Sequence, residues 1–359
     1  MNKLRIGFLS TAAIGRKNWK AVLNSGNSVV TAVASREVDR SRDFISTCQR
    51  EAPFEQVPAA YGSYDELLAS PRVDAVYIPL PTGLRREIVV RAAGAGKHVL
   101  CEKPCAADVA GLEEMIGACR KNGVQFMDGV MFMHNERLQR IRQALAGNAL
   151  GGIKRIASQF SFCGSADFLA SNIRVNNALE PLGCLGDLGW YCVRFILWAL
   201  DWEMPSRVDA EMIASAGRAP TEFSAELFFK GGVSAAFYCS FLTASQQWVS
   251  ISCHGGCLYV PDFVLPFAGT ESSFEIRDER LVIAGCDFEM QPGVKRIIAG
   301  GHSHSHPTAQ ESNMFRNFAR QIFTGRVNED WPEWSLKTQR VVNGCYEVAL
   351  GAEARAFSP

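Results

Sequence analysis

From Lys3 to Asp128 the chain alternates short apolar runs with stretches of helical spacing, an order that few folds accept. Lys3–Leu9 precedes helical spacing over Ile14–Ser25, and Ser28–Ala34, "SVVTAVA", is a second run rich in β-branched residues. The pattern continues as helix over Ser41–Arg50, strand at Val73–Ile78, helix over Arg85–Ala95, strand at His98–Cys101, helix over Ala107–Asn122 and strand at Val124–Asp128. Strands separated by helices form a parallel, doubly wound sheet whose ligands lie outside the carboxyl ends of the strands. From about Ile153 the period becomes two, as in "RIASQFSF", "AELFF", "SAAFYCSF" and "WVSISCHG", which predicts a large, mainly antiparallel open sheet. Helices at about Thr308–Thr324 and Ser335–Ala356 close the chain. The expected fold class is α/β, with an amino-terminal doubly wound parallel sheet over 1–126, an α+β domain over 127–307 and carboxy-terminal helices over 308–359 packing back on the body.

The 359 residues exceed one ordinary core. Lys plus Arg and Asp plus Glu both number 37, so no bulk field recruits nucleic acid or an anionic membrane, and a small-molecule partner is expected. No apolar run approaches the roughly 20 residues of a membrane span. Met1–Arg5 leads straight into a strand, so a cytoplasmic protein is expected. The 12 cysteines are scattered without a Cys-x-x-Cys pair and read as free thiols.

The first strand-to-helix turn, "GFLSTAAIGRK", occupies the place of a Gly-x-G-x-x-Gly phosphate loop in a Rossmann-like sheet. Ser10 and Ala12 stand at the first two glycine positions and Gly15 at the third, where helix and strand must pack closely. Ser10, Thr11, Ala12, Ile14 and Gly15 are therefore the candidate phosphate contacts, although the turn alone is equally an ordinary strand-to-helix connection. NAD-binding folds place an acid at the end of the second strand to bond the ribose 2′-hydroxyl. Here that strand ends in Ser35-Arg36, a hydroxyl and a guanidinium suited to a 2′-phosphate, so NADP is the expected cofactor and NAD the alternative.

"GKHVLCEKPC" places Lys103 just past a parallel strand, at the edge where chemistry is expected, with Pro104 stiffening the turn. "VDAVYIPLP" followed by "AGKHVLCEKP" resembles the glucose–fructose oxidoreductase / inositol dehydrogenase / rhizopine-catabolism (Gfo/Idh/MocA) family. The resemblance continues through "MDGVMFMHN", "NIRVN", "GCLGDLGWYCVR" and "VPDFVLPF", and within the family it is nearest the dihydrodiol dehydrogenase and NADP-dependent D-xylose dehydrogenase branch. It implies that Lys103 of Glu102-Lys103-Pro104 approaches the substrate hydroxyl and the nicotinamide. It also implies that Pro79, Leu80, Thr82, Glu102 and Lys103 contact the cofactor, and that Asp187 and Tyr191 complete the catalytic set. Independently, residues four apart share a helix face, so Asp187 and Tyr191 can enter one cleft, with Gly189 allowing close approach. An ammonium on Lys103 would lower the Tyr191 pKa and make the phenol an acid/base, while Asp187 orients the substrate or keeps Lys103 charged. Lys103, Arg174, Asp187 and Tyr191 are the expected substrate contacts, Arg174 either fixing a substrate oxygen or holding Asp187.

The chain departs from the family at Pro81-Thr82-Gly83-Leu84-Arg85, where relatives usually carry Pro-Asn-x-x-His, and Tyr191 replaces the His of inositol dehydrogenases. "SAAFYCSF" reads as apolar on both faces, so a homodimer or dimer of dimers through the open sheet is expected. Phe162, Trp190 and Trp202 are candidate pocket walls. His302, His304 and His306 lie in a solvated loop before a helix opened by a Thr308–Glu311 capping box, and no resident metal is expected. The activity expected is NADP(H)-dependent hydride transfer at a carbinol or carbonyl carbon of a sugar-like or diol substrate. A non-catalytic NADP-sensing regulator and a redox-assisted lyase or glycosidase are the alternatives.

Overall fold

The expected alternation is present, with one addition. A computed structural model describes residues 2–147 and 149–351. Its first half runs β1 (Leu4–Leu9), α1 (Ala13–Ser25), β2 (Ser28–Ala34), α2 (Val38–Glu51), β3 (Ala59–Tyr61), α3 (Tyr64–Ala69), β4 (Ala75–Ile78), α4 (Thr82–Gly94), β5 (His98–Cys101), α5 (Val109–Lys121) and β6 (Phe126–Asp128). The six strands are parallel in the order β3-β2-β1-β4-β5-β6. The order reverses between β1 and β4, which opens a crevice at their carboxyl ends. The addition is β3 with α3, whose three and six residues are too short to print a period on the sequence. All four β4 residues are buried, as a strand covered on both faces requires.

The second half comprises α6 (Glu136–Ala146), β7 (Ile153–Cys163), α7 (Ala166–Ser171), a π-helical turn (Leu185–Gly189) running into α8 (Trp190–Ala199), then β8 (Arg207–Ala216), β9 (Ala219–Phe228), β10 (Ser234–Ser240), β11 (Leu242–Cys253), β12 (Gly256–Val260), β13 (Ser272–Arg277), β14 (Arg280–Ala284), β15 (Asp287–Gln291) and β16 (Val294–Ala299). Eight of these strands form one sheet in the order β16-β13-β12-β11-β7-β10-β9-β8, while β14 and β15 make a separate hairpin. Only β7 and β10 pair in parallel within the large sheet. Its inner face packs on α8 through residues such as Ile156, Phe237 and Cys239, all buried.

Three expectations change here. In β10, Ala235, Phe237 and Cys239 face the core, whereas Ser234, Ala236 and Tyr238 face outward. The outer face is therefore mixed, not apolar, and the Tyr238 hydroxyl donates to Glu222 on β9. The closing helices are α9 (Gln310–Phe323) and α10 (Asp330–Ala349). No capping box opens α9: Ala309 is its N-cap, and Glu311 turns to Lys17 of α1, with 2.5 Å between ammonium and carboxylate. Helix α10 starts five residues before the expected Ser335, because Pro332 falls in the first turn, where proline is tolerated. Its expected end at Ala356 lies outside the described residues.

The His302–His306 loop is docked, not free in solvent. Ser303 exchanges hydrogen bonds with Gly269, and the Ser305 carbonyl accepts from Asn24 and Ser312. The rings of His302 and His306 stack at 4.2 Å. No group of three metal-ligating side chains occurs among the described residues, and no helix among them is long and apolar enough to cross a membrane.

Candidate active site

A cleft of about 1530 Å³ lies between the carboxyl edge of the parallel sheet and the inner face of the large sheet. The turn before α1 forms one end. Ser10 adopts φ 136°, a backbone conformation that glycine ordinarily supplies, and its hydroxyl accepts from the Ala12 amide at 3.0 Å. Serine thus replaces the first glycine by offsetting backbone strain with a local hydrogen bond. Ser10, Thr11, Ala12 and Ile14 line the cleft. Gly15 lies outside that wall and meets the third glycine's packing demand, since a β carbon there would come within 3.1 Å of Phe44. Helix α1 has no side-chain cap and no acid in its first turn, which leaves its amino-terminal dipole and N–H groups available to a pyrophosphate.

The end of β2 divides the two residues assigned to the 2′-phosphate. Ser35 is buried, donates to the Glu37 carbonyl at 2.5 Å and accepts from Ser41 at 3.0 Å, so it builds the β2–α2 turn and presents no free hydroxyl. Arg36 is exposed and close enough to Tyr64 to act on its phenol electrostatically. The next acid, Glu37, pairs with Arg40 at 3.2 Å.

The catalytic candidates converge. Lys103 follows β5, and its Nζ donates to Asp187 Oδ1 at 2.7 Å and to the Asp187 carbonyl oxygen at 2.5 Å. Arg174 Nε meets Asp187 Oδ2 at 2.8 Å, so Arg174 holds Asp187 while lining the cleft. Burial opposes the Asp187 charge, but Lys103 and Arg174 outweigh it and hold the carboxyl below the usual range. Asp187 sits in the π-helical turn, a local widening common at functional sites and without a sequence signal here. Gly186 admits Pro104 of the Lys103 turn, and Gly189 admits Phe237 and Cys239 of β10.

The expectation for Tyr191 is corrected. The Lys103 ammonium lies over the Tyr191 ring, 4.4 Å from its centroid, and not at the phenol oxygen. Asp187 holds the ammonium through both its carboxylate, which carries the opposite charge, and its main-chain carbonyl. The Tyr191 hydroxyl points to Met131 Sδ at 3.6 Å. Burial, then the charges of Glu102, Asp187 and Glu311, raise its pKa well above the ordinary value, with Arg174 opposing. These influences favour the protonated phenol, the opposite of the lowering expected from Lys103.

Thr82 is also reassigned. It is buried, and its amide and hydroxyl donate to the two Glu180 carboxylate oxygens at 3.1 and 2.5 Å, so it joins the amino end of α4 to residue 180 and contributes nothing to the cleft wall. Pro79, Leu80, Glu102 and Lys103 do line the cleft. Arg85, where relatives usually carry His, donates to the carbonyls of Leu80 and Glu102 at 2.6 and 2.8 Å and to that of Pro104, bracketing the Lys103 turn. Of the aromatic candidates, Phe162 lines the cleft; Trp190 is wholly buried and Trp202 stacks on Trp334 at 4.8 Å, away from it. Sequence reasoning missed Glu180, Asn18 and Tyr77. Only Tyr77 carried a signal, as a hydroxyl inside the buried run "AVYI" that must find a partner.

Comparisons with known proteins agree with this fold. A family profile described as "Oxidoreductase family, NAD-binding Rossmann fold" matches residues 4–130. The profile of the GFO/IDH/MocA C-terminal domain matches residues 138–259. D-xylose 1-dehydrogenase (NADP(+)) 2 of Haloferax volcanii is 30% identical, over 96% of this chain and 97% of that protein. Trans-1,2-dihydrobenzene-1,2-diol dehydrogenase of Bos taurus is 30% identical, over 69% of this chain and 71% of that protein. The structure of KijD10, a 3-ketoreductase from Actinomadura kijaniata in complex with NADP and TDP-benzene, superposes with a TM-score of 0.77 at 25% identity, over 96% of this chain and 97% of that one. With an NAD-binding Rossmann sheet and the matching second domain both in place, this chain belongs to the GFO/IDH/MocA oxidoreductase family.

Proposed function

We propose that this protein is an NADP(H)-dependent oxidoreductase that transfers hydride between the nicotinamide and a carbinol or carbonyl carbon of a sugar-like or diol substrate. The observation that carries this reading is the convergence of Lys103, Asp187 and Tyr191 in the cleft that also contains the uncapped start of α1. When bound, the nicotinamide supplies or accepts the hydride. Lys103, held by Asp187, presents positive charge to the reacting oxygen, and Tyr191 donates its proton to that oxygen in the reducing direction. The guanidinium nitrogens that Arg174 does not give to Asp187 are available to a second substrate oxygen. The sugar and diol classes are supported by the names of the xylose and dihydrodiol relatives. NADP is supported by exposed Arg36, by the engagement of Glu37 with Arg40 and by the cofactor named for the xylose enzyme. A non-catalytic sensor would have no use for the three-residue set.

The test is a screen of aldoses and trans-dihydrodiols with NADP+ and NAD+, following absorbance of the reduced nicotinamide. Turnover with NADP+ that drops sharply in Tyr191→Phe is expected. Full turnover by that variant overturns the proton-donor role, and a preference for NAD+ overturns the Arg36 assignment.

The same reading includes a homodimer or dimer of dimers through the open sheet. Its support is an outer face bearing Tyr238 and Arg277, residue types enriched in interfaces, and a β14–β15 hairpin with Leu281, Ile283, Phe288 and Met290 exposed. Light scattering that returns only the monomer mass overturns it. A division into 1–126, 127–307 and 308–359 accompanies this reading, its first boundary supported by the matched profile segments 4–130 and 138–259. A cytoplasmic location is supported by 12 unpaired thiols.

A further inference from the structure

Beneath the cleft floor lie Asn18 and Tyr77, two buried polar residues that take no part in the chemistry assigned to Lys103 and Tyr191. Tyr77, in β4, has no exposed surface, and its hydroxyl donates to Glu102 Oε1 at 2.6 Å. Asn18, on the buried face of α1, donates to the Tyr77 oxygen at 2.5 Å and reaches Glu102 Oε1 at 3.4 Å. On another side the Glu102 carboxyl rests on Gly129, where a β carbon would come within 3.1 Å of its carboxyl carbon and Oε2. Phenylalanine and leucine would fill the space of Tyr77 and Asn18 without two buried polar groups to satisfy. The chain thus places a carboxylate at the cost of burying a hydroxyl and an amide.

That carboxylate lines the cleft, yet no cation pairs with it among the described residues. Lys103, its neighbour in sequence, is committed to Asp187. Glu102 follows β5, on the β4–β5–β6 side of the switch point. With Arg36 at the end of β2 marking the adenosine half, the β5 side is the nicotinamide half. The oxidised nicotinamide ring carries a positive charge and the reduced ring carries none.

We propose that Asn18 and Tyr77 are positioning residues that hold the Glu102 carboxylate toward the nicotinamide, where it favours the oxidised, cationic ring over the reduced, neutral one. This rests on the dinucleotide assignment made above. A fixed carboxylate facing a bound ring would bias binding between the two redox states, while a mobile one would be screened by water. Tyr77 remains a donor throughout, because burial and the adjacent Glu102 charge push its phenol well above its ordinary pKa.

The experiment is equilibrium titration of the whole protein with NADP+ and, separately, NADPH, without substrate, for the wild type, Glu102→Gln and Tyr77→Phe. The quantity read is the ratio of the NADP+ to the NADPH dissociation constant. Glu102→Gln should raise it on the order of tenfold, and Tyr77→Phe about threefold in the same direction. Glu102→Gln keeps an oxygen to accept from Tyr77, so it tests the charge even if Tyr77→Phe folds poorly. Dissociation constants that weaken together by one factor, or a ratio that does not move, would reduce Asn18 and Tyr77 to scaffolding and overturn the proposal while leaving the cofactor assignment intact. A wild-type protein that binds neither dinucleotide would overturn that assignment and the proposal with it.

Discussion

Lys103 and Asp187 are joined twice, the ammonium reaching both the carboxylate and the main-chain carbonyl of the same residue at 2.7 and 2.5 Å. One contact fixes the charge and the other fixes its direction, so Lys103 is aimed by the π-helical turn of the second half of the chain. Arg174 takes the opposite carboxylate oxygen and leaves Asp187 little freedom to rotate.

Lys103→Ala is accordingly expected to lower kcat by about 10³ and Asp187→Asn by about 10², with smaller changes in KM for cofactor. The pH dependence has a definite sign. Asp187 has a depressed carboxyl pKa in the folded protein, so its stabilising contribution is complete above the unfolded value of roughly 4 and is lost as pH falls below it toward the folded value. Urea titrations at several acidic pH values should show a shallower loss of stability in Asp187→Asn than in the wild type; parallel curves would contradict the pairing.

Tyr191 should behave as an acid that does not ionise in the working range. Its raised pKa means the protonated form stabilises the fold fully below the unfolded value of about 10 and loses that effect as pH rises through the higher folded value. Spectrophotometric titration of the wild type against Tyr191→Phe should reveal no phenolate from this residue below about pH 10. Carbonyl reduction by Tyr191→Phe should fall by about 10²–10³ with little change in NADPH affinity. Appearance of a Tyr191 phenolate near neutrality would restore the base role and remove the donor role.

At the phosphate turn, Ser10→Gly and Ser10→Ala should separate. Glycine relieves the left-handed backbone and forfeits the bond to the Ala12 amide, so the two effects of about 1 kcal/mol nearly cancel. Alanine keeps the strain and loses the bond, a cost of about 1 kcal/mol. Denaturant midpoints at unchanged m-value measure both, and glycine proving the worse substitution would refute the strain argument.

One helical turn beyond Tyr191, Arg194 forms a buried ion pair with Asp128 at the end of β6, and its Nε donates to Thr338 of α10 at 2.7 Å. Their side chains are 1% and 6% exposed, so neither charge has water as a substitute partner. Removing one partner, as in Asp128→Ala or Arg194→Ala, should cost about 3–5 kcal/mol, whereas the double replacement Asp128→Leu with Arg194→Met should recover much of it. A single variant that unfolds at the wild-type denaturant concentration would show the pair to be dispensable.

Much of the fold and part of the site were legible in sequence, for physical reasons that also mark the limit. Asp187 and Tyr191 are singled out by the family resemblance, whereas alternation of runs and helical stretches reports which faces are buried, so the layers of both sheets and the carboxyl edge at Lys103 follow from local periodicity. Gly15 is legible in the same way, because its packing demand comes from the adjacent strand and helix. The choice of hydrogen-bond partner is not local. Ser35 turns into its own loop, Thr82 reaches Glu180, Lys103 takes Asp187 instead of the Tyr191 hydroxyl, and Glu102 is held by residues 25 and 84 positions away in the chain. Each choice turns on which acceptor the folded chain brings within about 3 Å, with roughly 1 kcal/mol between alternatives. The sequence by itself therefore determined the layers, the edge and the chemical groups available there, whereas only the tertiary structure decided which group holds which, and hence that burial and nearby carboxylates favour the protonated Tyr191 phenol.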